Sequence, residues 1–155
     1  MFKFFKFKKT DSNTIFDEIY KRSKDQISIF DSNKKLTKQG QFEVLIFCAC
    51  IILNKANLDN DMKLKYLRYL VDLRKKFDVS ISSGETVDLI NHRINFIGNE
   101  FKNLNASTNY IPGSLYHIFY ENPLTLAPVN SFDLPQVIKC GISFSQVVKN
   151  LSQTS

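Results

Sequence analysis

The side chains of this chain best suited to catalysis or metal binding are two histidines and three cysteines. His92 and His117 stand alone, because neither has a second His, Cys or acid at the spacing that puts two metal ligands on one helix face. His92 falls opposite an apolar helical seam and reads as a surface residue. His117 lies among Tyr116, Phe119 and Tyr120, surroundings that suit a hydrogen-bonded, partly buried ring. Cys48 and Cys50 project about 200° apart on a helix and cannot share an ion. Both fall in the apolar run 44–53 and read as small core residues. Cys140 with His117 would make a thiol–imidazole couple for nucleophilic catalysis, but only through a contact that spacing does not supply. Glu43 and Glu100 stand on helices beside apolar faces. Burial there would favour the protonated acid, whereas a place on the helix edge leaves an ordinary solvated carboxylate.

The remaining chemical patterns are fragments. Asn57, Asp59 and Asp61 imitate the first ligands of a calcium loop, but its sixth position is Met62 rather than glycine. Its twelfth position is Arg68, a cation where a bidentate carboxylate is needed. These acids suit a helix N-terminus better, where the dipole favours negative charge. The S-x-x-K string Ser32–Lys35 falls in a polar turn rather than at a helix start within a pocket. Gly40, Gly84, Gly98, Gly113 and Gly141 are too dispersed to form a phosphate-cradling loop. No catalytic, cofactor-binding or metal-ligating residue is assigned, and the expectation is a protein that is not an enzyme and carries no cofactor.

The net charge of +6 suggests nucleic acid until it is located. Residues 1–9 hold Lys3, Lys6, Lys8 and Lys9 and no acid. The other 146 residues therefore carry 17 basic and 15 acidic side chains, a near balance. Phosphate binding needs basic residues concentrated on one surface, so nucleic acid is not an expected partner. The tip interleaves Phe2, Phe4, Phe5 and Phe7 with its lysines, which denies it the unbroken apolar core of a secretory signal. It reads as a mobile tail over residues 1–10. The alternative is a weak surface anchor in which Phe2, Lys3, Phe4, Phe5, Lys6 and Phe7 meet anionic lipid. Free cysteines without a signal peptide point to the cytoplasm, with the anchor reading adding the inner face of the membrane.

The elements that must position these residues read as helices. A first helix starts near Asp11 or Ser12 and runs to Phe30, where Asn33-Lys34-Lys35 ends it. A second, over about 37–56, has a centre that is apolar on every side, the signature of burial all round rather than of one packed stripe. From Asp59 to Asp78, Met62, Tyr66, Tyr69, Leu70, Leu73 and Phe77 share one face, with Leu64, Leu67 and Val71 on a second edge. Ser83 caps a fourth helix with Thr86 at the capping-box position, and Val87, Ile90, Ile94, Ile97, Phe101 and Leu104 form its seam. Asn91, Asn95, Asn99 and Asn103 repeat on another face. After Pro112 a short aromatic helix covers 114–120. Asp133 and Pro135 open a further piece that Lys139 and Gly141 close, and a last helix covers 143–151. No stretch alternates as a strand would. The expected architecture is all-α: a single domain over 11–155, with five or six helices packed around the one at 37–56.

Residues 103–155 contain only four charged side chains. Their aromatics, Tyr110, Tyr116, Phe119, Tyr120 and Phe132, have the charge-poor character of interface cores and form the candidate surface for a partner, another protein or a second copy. The alternative is that they fill this chain's own core. In size and style the chain is similar to small helical bacterial adaptors and toxin-neutralising immunity proteins, a likeness that no motif carries and that implies work by protein–protein binding.

Overall fold

A computed structural model describes residues 12–56, 58–102 and 110–152. The regular secondary structure of the described residues is helical, with no strand among them. The order is α1 (Ser12–Lys24), α2 (Ile27–Asp31), α3 (Lys38–Lys55), α4 (Asn60–Leu73) with a 3₁₀ turn (Arg74–Phe77), and α5 (Ser83–Lys102). Then come α6 (Tyr110–Tyr116), which runs into a π turn (His117–Glu121), and α7 (Leu134–Ser152).

The bundle is built around α3, as the all-round apolar run requires. Thr37 caps it, its hydroxyl accepting from the Gly40 amide at 3.1 Å. Residues 42–49 and 51–53 are buried, with Cys50 partly so. The helices α1, α5 and α7 and the π turn pack against it. Gly40 lets the π turn approach: a Cβ there would collide with the Phe119 carbonyl oxygen. Phe30 from α2, Phe47 from α3, Phe119 from the π turn and Phe144 from α7 then converge. Phe30 stands edge-on to Phe119 at 5.1 Å, and Phe119 lies 5.4 Å from Phe144. Edge-to-face rings at this spacing add about 0.5–1.5 kcal/mol per pair beyond area burial.

Besides the aromatic helix expected over 114–120, which starts at Tyr110 ahead of Pro112 and continues as the π turn to Glu121, four boundaries differ from those the sequence suggests. The first helix breaks at Asp25-Gln26, where the Gln26 side chain reaches the Arg22 carbonyl and accepts from Asn150 of α7. Helix α4 tightens to 3₁₀ after Leu73 and ends on Asp78 in the left-handed region (φ 55°). Its expected cap is present, with Asp59 accepting from the Met62 amide at 2.8 Å.

In α5 the cap is Ser82, one residue earlier than Ser83. Its hydroxyl accepts from the Glu85 amide at 3.1 Å and its own amide donates to the Glu85 carboxylate, a complete capping box. The buried face accordingly holds Thr86, Leu89, Ile90, Arg93 and Ile97, while Val87 turns out to solvent. Of the expected seam, Ile90 and Ile97 are buried and Ile94 partly so. The Phe101 side chain and Leu104 lie outside the described residues.

The fourth difference is the largest. α7 runs unbroken through Gly141, with Asp133 capping it and Pro135 in its first turn. Val137, Cys140, Phe144, Val147 and Leu151 form one buried stripe along it. An internal glycine costs about 1 kcal/mol. Each large apolar side chain of that stripe gains about 1.5–3 kcal/mol on burial, so continuity wins.

Candidate functional site

The most strongly polar place in the interior joins α3, α5 and the connector 122–133. Glu43 projects from α3 and Arg93 from α5, both fully enclosed. Arg93 Nε and Nη2 donate to the two Glu43 oxygens at 2.8 and 2.7 Å, a bidentate fork. The Leu124 amide also donates to Glu43 Oε2 at 2.8 Å, and Leu124 takes a left-handed conformation (φ 72°) to do so. Arg93 Nη1 lies 2.8 Å from His92 Nδ1. Burial and the adjacent guanidinium hold the His92 pKa below its ordinary value, so the neutral ring accepts this bond. Each charge of the pair is satisfied from more than one direction, the condition under which a buried ion pair is tolerated. Both oxygens of Glu43 are engaged by the protein, so it serves as an anchor for the connector rather than as an acid.

A second polar cluster ties down the far end of the same connector. His117 Nδ1 stands 3.0 Å from Glu121 Oε1, and Glu121 Oε2 accepts from Ser131 Oγ at 3.0 Å. The hydroxyl lies on the carboxylate and not on the imidazole, so the order needed to activate a serine is absent. The Ser131 amide donates to the Gly113 carbonyl, and the Ser114 hydroxyl donates to Asn130. Just before the connector, Tyr120 donates to the Phe30 carbonyl at 2.7 Å.

The other sequence candidates find structural roles. Cys140 is buried beside Tyr120, and burial pushes its thiol up. Burial pushes Cys48 up as well, and Cys50 to about 12 by burial and the Glu43 charge, so these thiols are poor nucleophiles near neutral pH. The Ser32 hydroxyl bonds back to the Ile29 carbonyl, and Asp61 pairs with Lys65 on an exposed helix face. Asn91 and Asn95 are exposed. Asn57, Asn103 and the side chains of Asn99 and Glu100 lie outside the described residues. Among the described residues, no three His, Cys, Asp or Glu side chains gather as a metal ion would require. No helix of the described residues is long and apolar enough to cross a membrane.

The five aromatics of the candidate partner surface separate. Tyr116 and Phe119 are buried in the chain's own core and offer nothing to a partner, which corrects the expectation for those two. Tyr120 is partly buried and spends its hydroxyl on Phe30. Phe132 is 99% exposed. The Tyr110 side chain and the tip residues Phe2, Lys3, Phe4, Phe5, Lys6 and Phe7 lie outside the described residues.

What sequence reasoning missed is the company Phe132 keeps. Leu134, Ile138 and Ile142, at four-residue steps along the outer face of α7, are 63, 66 and 72% exposed. Leu126 and Val129 of the connector are exposed as well. Residues at i, i+4 and i+8 share one helix face, so these three form a ridge on α7, and Phe132 stands exposed two residues before its first member. The spacing was visible in the sequence, but reading Gly141 as a helix stop cut the ridge in two. Isolated surface aliphatics are ordinary, whereas a contiguous apolar run marks a place of contact.

Comparison with protein-family models, with curated proteins and with solved structures finds no match to this chain.

Proposed function

We propose that this protein works by binding another protein chain through the ridge Phe132, Leu134, Ile138 and Ile142, as an adaptor or neutralising partner does, and not by catalysis. The observation that carries the reading is the full exposure of Phe132 at the head of that ridge. Leaving a phenylalanine in water forgoes about 1.5–3 kcal/mol of burial, and a partner surface would recover it. The bundle supports the reading by presenting the ridge on a rigid element. α7 is locked by its inner stripe, and the connector is pinned at Leu124 by Glu43 and at Ser131 by Glu121. A surface ordered before contact loses little conformational entropy on binding. The partner that fits is an apolar helix face or shallow groove with few charges, because the ridge itself carries none between Asp133 and Lys139.

The test is a photo-crosslinking amino acid placed at Phe132 or Ile138 in the full chain, in the cells that produce it, with Asp72 on the solvated face of α4 as control. A discrete protein adduct from positions 132 and 138 but not 72 is expected. Absence of any adduct from the ridge positions refutes the proposal.

A further inference from the structure

We infer that the connector 122–133 is a strap that mild acid releases at Leu124 and leaves fastened at Ser131, with His92 as the group that takes the proton. The inference is independent of the docking reading.

The chain has two histidines, and the fold places one at each pin of the connector. At the first pin the Arg93 guanidinium stands between His92 Nδ1 and the two oxygens of Glu43, and Glu43 Oε2 in turn holds the Leu124 amide. At the second, His117 Nδ1 meets Glu121, whose other oxygen holds the Ser131 hydroxyl.

The two pins answer a proton differently. Arginine has only donors, so its bond to His92 exists only while Nδ1 carries a lone pair. A proton there sets a second donor and a second positive charge against the guanidinium. An ionised carboxylate has only acceptors, so Glu121 keeps its bond to His117 whether the ring carries one proton, on Nδ1, or two.

At the first pin the guanidinium is planar, so its bonds to His92 and to Glu43 fix one another's direction. Once His92 is protonated, either the half-buried ring turns out or the guanidinium turns away. Either movement removes a support from the fork that aims Glu43 Oε2 at Leu124. Leu124 is the point that yields, because its left-handed backbone (φ 72°) is strained for a residue with a Cβ and is held against relaxation by this bond.

The charged groups that face His92 are Arg93 and, from α3, Glu43, while its ring stacks on Phe96. Burial and Arg93 oppose the proton and Glu43 favours it. The connector adds no charge at this pin, having none between Glu121 and Asp133. At the second pin, Asp133 and Lys34 flank the neighbouring Tyr116.

Between the pins the Ala127 amide donates to the Thr125 hydroxyl, a bond within the strap itself, and Leu126, Ala127 and Val129 are exposed. The Ser131 end has further ties, through the Gly113 carbonyl and the Ser114 hydroxyl on Asn130. Release at Leu124 therefore swings residues 123–130 about Ser131 and opens the Glu43–Arg93 pair to water.

Amide hydrogen exchange of the full chain, read residue by residue by nuclear magnetic resonance and corrected for the intrinsic rate, tests the strap. From about pH 8 to about pH 5 the protection of the Leu124 amide is expected to fall at least about tenfold, while that of Ser131 changes by less than about threefold. His92→Gln keeps an acceptor for Arg93 and cannot take the proton, so its Leu124 amide is expected to be equally protected at both ends of the range. His117→Gln keeps a donor for Glu121 and is expected to behave as the wild type at both pins.

A wild-type Leu124 amide that stays equally protected overturns the strap, with no variant needed. So does a Ser131 amide that loosens in step with Leu124, which would mean that the whole connector opens. An equal loss at Leu124 in His92→Gln assigns the proton to another group and overturns the role of His92.

Discussion

Replacing Arg93 by methionine keeps most of the buried stem and removes the guanidinium, leaving Glu43 enclosed with only the Leu124 amide for company. Breaking a buried pair from one side costs about 3–5 kcal/mol, because the surviving charge has lost its partner but not its desolvation. For a chain of this length, each kcal/mol moves Tm by about 2–4 °C, so a fall of roughly 6–20 °C is expected. Glu43→Leu should lose a similar amount, with Arg93 then the stranded group. The double replacement Glu43→Leu with Arg93→Met buries no charge; it leaves the Leu124 amide unmet, at about 1–3 kcal/mol, and takes the Arg93 donor from the half-buried His92 ring. The double variant should therefore be more stable than either single one, with a coupling of several kcal/mol between sites 50 residues apart in sequence. Urea unfolding of the four proteins, followed by circular dichroism, measures the cycle. Additive losses, with the double variant the weakest of the set, would refute the account of the pair as a mutually dependent anchor.

Three further outcomes follow from local geometry. Ser82→Ala should lower stability by about 1 kcal/mol while Ser83→Ala leaves it nearly unchanged, and equal effects in thermal unfolding would contradict the capping box at Ser82. Gly40→Ala should cost about 1–3 kcal/mol, because its new methyl meets backbone and not a flexible side chain; a neutral result would show that the π turn does not abut α3. His92 has its folded pKa below the ordinary 6.5, so the unfolded chain binds more protons there and stability falls as pH drops from about 6.5 toward the folded value. His92→Gln should flatten that part of the stability-versus-pH curve, and an unchanged slope would remove His92 as its source.

Several features of the fold were legible because their causes are local or compositional. A ten-residue run that is apolar on every side of a helix has only one stable place, the interior, and α3 occupies it. The Asp59 cap and the Tyr66–Leu70–Leu73–Phe77 face of α4 follow from neighbours within a few residues. The candidate site was less legible. Sequence marks Glu43 as a carboxylate beside an apolar face, but nothing near Arg93 signals burial. Its partner lies on another helix, and although prolines mark 124–129 as a connector, nothing in the sequence ties the Leu124 amide to Glu43. The aromatic surface was read with the wrong membership for the same reason: Tyr116, Phe119 and Phe132 are chemically alike, and only packing against Phe30, Phe47 and Phe144 draws Phe119 inward while Phe132 is left outside.

The sequence by itself determined that this chain is helical and which helix lies at its centre, because periodicity and uniform apolarity act through the nearest turns of chain. Tertiary structure decided the rest. It carried α7 through Gly141, because burial along the whole stripe outweighs one glycine's backbone entropy. It also drew a cation into the core, since a charge can leave water only where distant segments supply every bond that water had made.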